Sequence, residues 1–125
     1  MRKKIFVLSK KDEKAVKLFA ELGMPRNLAK TLMYLSHVDE CYSSDIERGA
    51  DLRQPEVSIA MRELRHRGWV KKRDLKKKGK GRPLHVYTPA TELKEILKSF
   101  EQEKLKEVET VENDISELKD LIEKQ

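Results

Sequence analysis

Cysteine is nearly absent from this chain. Cys41 is the only one in 125 residues, which excludes an internal disulfide and any zinc site built from cysteine pairs. Long apolar runs are missing as well. Ile5 to Leu8, near the start, is far shorter than a bilayer span or the core of a signal peptide, so a cytoplasmic protein with no membrane partner is expected. No Ser-His-Asp set, glycine-rich phosphate cradle, paired acids or series of metal ligands is present. His37 and Cys41, four residues apart, are two ligands at most, too few to close a metal site. A non-enzyme without metal or cofactor is therefore expected. Glycine and proline number five and four, and none falls after Pro89.

Charge is abundant where these are scarce. Charged residues make up 40% of the chain, with a formal net charge of +6 and a pI of about 9.4. The distribution says more than the sum. Residues 1–51 carry 10 basic and 8 acidic side chains, residues 52–88 carry 12 and 3, and residues 89–125 carry 6 and 11. The basic character is thus concentrated in the middle, which calls for a polyanionic partner, while the tail is acidic.

Hydrophobic spacing divides the chain into elements. Residues 1–10 do not declare themselves. From Asp12, the apolar residues Val16, Leu18, Phe19 and Leu22 recur at helical spacing until Gly23 and Pro25 stop the run. A second helix starts at Pro25, buries Leu28, Leu32, Met33 and Leu35, and runs to about Val38. After an extended stretch around Cys41, Ser43 or Ser44 makes a good N-cap, with Glu47 at capping-box distance from Ser44, for a short helix that Gly49 breaks. Pro55 opens a fourth helix, with Val57, Ala60, Met61 and Leu64 on one side and Gly68 as its C-terminal stop. Trp69 to Leu75 and Leu84 to Thr88 then read as a hairpin around the polar loop Lys76 to Pro83. The final 36 residues after Pro89 are helical throughout, with a seam at Leu93, Leu97, Phe100, Lys104, Val108, Val111, Ile115, Leu118 and Ile122. Its steps of three and four are those of a heptad with one stutter at Lys104. A helix so long and charged needs a partner, and a second copy of the chain is the expected one.

A short helix, a tight turn and a second helix with a polar outer face make a helix-turn-helix, whose second helix enters the DNA major groove. At about 100° per residue, Pro55, Ile59, Arg62 and His66 lie opposite the buried side, flanked by Gln54 and Ser58. Arg62 can match a guanine edge with two hydrogen bonds, Gln54 an adenine edge, and Ile59 can meet a thymine methyl. Lys77, Lys78 and Lys80 suit phosphates, and Arg82 suits a narrow minor groove. As a solvated turn, the same lysines would only keep a sheet edge from aggregating. Arg62, Arg65 and Arg67 could likewise do no more than solvate a helix, but their clustering beside the loop favours DNA. Trp69 belongs to the core at its helix-to-strand junction, and Cys41 to buried packing.

The run from Asp51 to Val70 carries Gln-Pro-Glu-Val-Ser at 54–58, then Leu64-Arg65, Arg67-Gly68 and Trp69-Val70. It resembles the recognition helix and first wing strand of MarR, ArsR and TrmB-type winged-helix regulators. A wider resemblance, from about Pro25 to Thr88, is to archaeal predicted transcription regulators. Two positions depart from it. Arg53 stands where such families often place a capping serine, and Ile59 where they often place a basic residue. The cysteine pairs of metal-sensing ArsR proteins are missing, so metal sensing is not implied.

The expected fold is mainly α (α+β): a winged helix-turn-helix domain over residues 1–88, followed by a coiled-coil-like dimerisation helix over 89–125. The expected function is sequence-specific binding of double-stranded DNA by a homodimeric transcription regulator. Its DNA-facing residues would be Ser43, Ser44, Arg53, Gln54, Pro55, Ser58, Ile59, Arg62, Arg65 and His66, with the four loop cations. The rival reading is a winged-helix module that binds RNA or a protein of a transcription or processing complex. The sequence does not show whether a small effector binds.

Overall fold

The computed structural model describes residues 6–75 and 84–124. The chain divides into two compact units, one ending at Glu92 and the other beginning at Leu93. In chain order the elements are α1 (Lys10–Glu21), α2 (Arg26–Leu35), β1 (Cys41–Tyr42), α3 (Ser43–Gly49), α4 (Gln54–His66), β2 (Val70–Leu75), β3 (Leu84–Pro89) and α5 (Leu93–Glu123). Helices α2, α3 and α4 followed by a β-hairpin make the first unit a winged helix-turn-helix, as the spacing of the sequence predicts.

Helix α1 begins two residues before Asp12, because Ser9 and Asp12 form a capping box. The Asp12 N–H donates to Ser9 Oγ (3.2 Å), and the Ser9 N–H donates back to Asp12 Oδ2 (2.9 Å). Val16 and Phe19 turn inward, but Leu18 and Leu22 are 51% and 52% exposed. The apolar stripe read from the sequence is therefore only half buried. Leu28, Leu32, Met33 and Leu35 of α2 are all buried, as their spacing requires. This helix stops at Leu35, not Val38, and just beyond it the Ser36 hydroxyl donates to the Met33 carbonyl at 2.7 Å.

The start of α3 corrects the expected serine cap. Tyr42 is the N-cap, and its N–H donates to Asp45 Oδ2 at 2.9 Å. Tyr42 is also the last residue of β1, paired with Val86, so the strand passes straight into the helix and leaves no spare position for Ser43 or Ser44 to cap. Gly49 is the last residue of α3 and not a break before it. A Cβ there would lie 2.2 Å from Tyr34 Cε2 and 2.3 Å from the Phe6 carbonyl oxygen. Close approach of a ring and a backbone segment requires glycine at this position.

Helix α4 buries Val57, Ala60, Met61 and Leu64, the four residues its periodicity selects. Pro55 sits at the second helical position and not the first, after Gln54. Gly68 follows the C-cap with φ +77, and the N–H groups of Gly68 and Trp69 return to the carbonyls of Arg65 and Leu64, both at 3.0 Å. That reversal sends the chain into the sheet. Trp69 and Cys41 are both buried. The sheet is antiparallel in the order β1-β3-β2, with Val70 opposite Pro89 and Asp74 opposite His85.

In the second unit, α5 is a single helix of 31 residues. Ile96 and Phe100 are buried, whereas Leu97, Val108, Val111, Ile115, Leu118 and Ile122 are all about half exposed or more. Leu105 and Leu121 are exposed too, two apolar residues outside the heptad seam. At the stutter, Lys104 Nζ holds Glu107 at 3.0 Å and lies 5.3 Å from the centre of the Phe100 ring. No helix among the described residues is long and apolar enough to cross a membrane.

Candidate nucleic-acid interface

The start of α4 is fixed without a side-chain cap from Arg53. Instead, Glu56 Oε1 accepts the Arg53 N–H at 2.8 Å, and its Oε2 accepts from Asn27 Nδ2 of α2 at 3.0 Å. The Arg53 N–H bond holds the Glu56 carboxyl below its ordinary range against a smaller opposing effect of burial. Asn27 and the charges of Arg53 and Lys30 add to the same direction. One acidic residue thus makes the returning half of a capping box at the Arg53 N–H and ties α4 to α2. The departure at Arg53 leaves the helix with a defined beginning.

The exposed surface of α4 is divided lengthwise. Taking Val57 as the inward direction, Gln54, Ser58, Arg62, Arg65 and His66 occupy one continuous stripe with Pro55 at its edge. All six are exposed. On the other side lie Glu56, Ile59, Glu63 and Arg67. Here Arg67 Nε donates to Glu63 Oε1 at 3.0 Å, and its guanidinium carbon stands 5.0 Å from the centre of the Trp69 ring. Ile59 is 66% exposed, yet it borders a groove of about 370 Å³ with Pro25 and Leu28, flanked by Glu56 and Glu63. The structure therefore sets Ile59 apart from the basic stripe with which the sequence groups it.

The basic stripe continues into the wing. Arg62, Arg65 and His66 of α4 face Lys71 and Lys72 of β2 across an open cleft of about 540 Å³. None of the five makes an ion pair or a side-chain hydrogen bond among the described residues, while other cations nearby are engaged. Arg73 Nη2 meets Glu40 at 3.2 Å, and His85 Nδ1 lies 2.7 Å from Asp74 Oδ1 on the neighbouring strand. Lys71 and Lys72 do not stand out in the sequence. Their signal is present in the charge count of residues 52–88, but only the packing of β2 beside the end of α4 selects these two.

Ser44 is exposed and Ser43 partly so, at the start of α3. Arg53 is exposed at the start of α4. Lys77, Lys78, Lys80 and Arg82 lie outside the described residues. Along α5, the seam residues from Val108 to Ile122 share one exposed face of the helix. Among the described residues no group of three or more His, Cys, Asp and Glu side chains could hold a metal ion.

No sequence-family model matches the chain, and no curated protein matches it by sequence. Solved structures do match in fold. TrmBL2, described as an archaeal chromatin protein with a novel mode of DNA binding, superposes with a TM-score of 0.65 at 18% identity, over 90% of this chain and 40% of that one. This chain thus spans well under half the length of TrmBL2. A possible transcriptional regulator from Methanosarcina mazei Go1 gives 0.61 at 11% identity, over 84% and 86% of the two chains. A transcriptional regulator homologue from Pyrococcus horikoshii OT3 gives 0.50 at 24% identity, over 78% and 93%. The shared feature is the winged helix-turn-helix fold.

Proposed function

We propose that the chain is a DNA-binding transcription regulator that acts as a homodimer. The observation that carries this reading is the cleft between α4 and β2, lined by five basic or protonatable side chains that have no acidic partner among the described residues. Such a surface attracts a polyanion, whose binding releases counterions. It lies on a helix whose polar stripe, Gln54, Ser58 and Arg62, bears the side chains that read base edges. The α4 helix of 13 residues would enter the major groove by that stripe, with Arg65, Lys71 and Lys72 on the flanking phosphates. Arg53 and the α3 serines would meet the backbone near the start of α4, and the wing loop would reach the backbone or minor groove beyond it. The similar structures described as transcription regulators and as a DNA-binding chromatin protein point the same way.

The seam of α5 supplies the reason for two copies. A helix that exposes Val108, Val111, Ile115, Leu118 and Ile122 on one face would bury them against the same face of a second copy. Two α4 helices would then address half-sites about one helical turn, or roughly 34 Å, apart.

Selection of duplexes from a random library with the full chain, followed by titration of the enriched duplex at several salt concentrations, tests the reading. Enrichment of one sequence, with affinity falling steeply as salt rises, is the expected result. Equal affinity for RNA and for every duplex, or for none, would instead favour a winged-helix module for RNA or a protein partner.

A further inference from the structure

A second group of unpaired cations lies away from the α4–β2 cleft. Arg26 and Lys30 of α2 and Arg48 of α3 line a concave site of about 310 Å³. None of the three makes a salt bridge or a side-chain hydrogen bond among the described residues. The rest of the wall is of two kinds. Val7, Val16 and Ala50 make an apolar side, and the acidic residues Glu13 and Asp51 line the site beside the cations. We infer that this cavity binds a small phosphorylated metabolite of sugar-phosphate size, its phosphate held by Arg26, Lys30 and Arg48 and its hydroxyls donating to Glu13 and Asp51.

Three features favour a small ligand over the backbone of a duplex. The site is concave and at the small end of the range of ligand pockets, which begins at about 300 Å³. Two carboxylates in the wall would repel a continuous polyanion but can accept hydrogen bonds from a polyol. An apolar wall has no use against a phosphate backbone and can cover a carbon frame. Two arginines beside a lysine suit a phosphate, since the guanidinium fork pairs two oxygens at once.

The site is joined to the recognition helix in two ways. Ala50 and Asp51 belong to the turn between α3 and α4, where Asp51 holds φ +53, a left-handed conformation that aspartate adopts more readily than most residues and that sets the direction in which the chain enters α4. Lys30 also acts electrostatically on Glu56, the residue that accepts the Arg53 N–H at the start of α4 and binds Asn27 of α2. A phosphate held at Lys30 and beside the Ala50–Asp51 turn would lie next to the entry of α4. Ligand binding itself does not depend on the DNA-binding reading, whereas its effect on DNA affinity does.

Isothermal titration of the full chain, without DNA, with ribose 5-phosphate, glucose 6-phosphate and glycerol 3-phosphate tests this, with ribose and inorganic phosphate as controls. Saturable binding of at least one sugar or polyol phosphate is expected, with inorganic phosphate weaker by about tenfold or more and ribose not bound. The double variant Arg26→Ala, Arg48→Ala should lose about tenfold or more in affinity, equivalent to about 1.4 kcal/mol. Both arginines are exposed, so an unchanged melting temperature will show that the fold is kept. Lys77→Ala, Lys78→Ala and Lys80→Ala together should leave binding as it is. Amide shifts at Gly49, Ala50 and Asp51 would place the ligand. Absence of binding by all three phosphates, or equal losses in the double variant and the loop variant, would overturn the proposal. So would a double variant that binds the phosphates normally but loses duplex affinity and salt dependence, since the three cations would then belong to the DNA surface.

Discussion

Arg62 is exposed in the middle of the basic stripe of α4, makes no ion pair among the described residues, and is one turn beyond Ser58. Replacement by alanine should cost about 1 to 3 kcal/mol on a preferred duplex and relax preference at one base pair, while affinity for random duplex stays nearly intact. Competition against a library randomised position by position measures both. A uniform loss would place Arg62 on a phosphate. At Gly49 the prediction concerns stability, because any Cβ must displace the Tyr34 ring and the Phe6 backbone. Gly49→Ala should destabilise the fold by about 1 to 3 kcal/mol, as overpacked sites do, and urea unfolding will show it as a lower midpoint. Asp12 gives a pH signature. Its burial pushes the carboxyl upward, but the Ser9 N–H, the His37 ring nitrogen 2.7 Å away and the Ser9 hydroxyl outweigh this and hold it below the ordinary value. A depressed carboxyl stabilises fully above its unfolded value of about 3.9 and loses that contribution as pH falls through the folded value. Asp12→Asn should therefore lower the melting temperature near neutral pH and converge with the parent chain in strong acid. A constant gap at all pH values would mean the carboxylate charge contributes nothing.

The elements differ in how openly the sequence declares them. Helices α2 and α4 are legible because each buries a full stripe, and Leu28, Leu32, Val57, Met61 and Leu64 fall on it at spacings no strand would use. The hairpin is legible from its breakers, and Gly68 from its place after the last periodic residue. Helix boundaries are less open. Asp12, Asp45 and Glu56 each take the N–H of the residue three before them, a bond that fixes a helix start at Tyr42 and Arg53 as well as at the serine of α1, so a search for serine caps alone misplaces two of the three. The partition of the α4 surface is hidden for a different reason. Ile59 lies only about 60° around the helix from Arg62, and the groove it borders with Pro25 and Leu28 is what marks the side it belongs to. Lys71 and Lys72 merge into a run of lysines until the strand places them beside Arg62 and Arg65. For the wing as an element, replacing Lys77, Lys78 and Lys80 with alanine should weaken binding to all duplexes alike. The salt slope should fall by about 0.9 for each phosphate no longer neutralised. An unchanged slope would mean that the loop does not meet the backbone.

At the scale of the whole molecule, the proposed dimer rests on the exposed apolar face of α5. Truncation after Pro89 should give a monomer in sedimentation and a much weaker binder, because two linked helices act together where one does not. A dimer that survives truncation would mean that another surface joins the copies. Trp69, the only tryptophan in the chain, lies in the first unit, buried and beneath the Arg67 guanidinium. Its emission therefore reports from a residue of the winged domain, whereas circular dichroism at helical wavelengths also counts the 31 residues of α5. The two optical signals can be followed separately in one cuvette. On dilution of the protein, ellipticity should fall as the tail helices part and fray, while the tryptophan spectrum holds its position. Signals that change together would reveal a single cooperative unit, in which the winged domain does not outlast its tail.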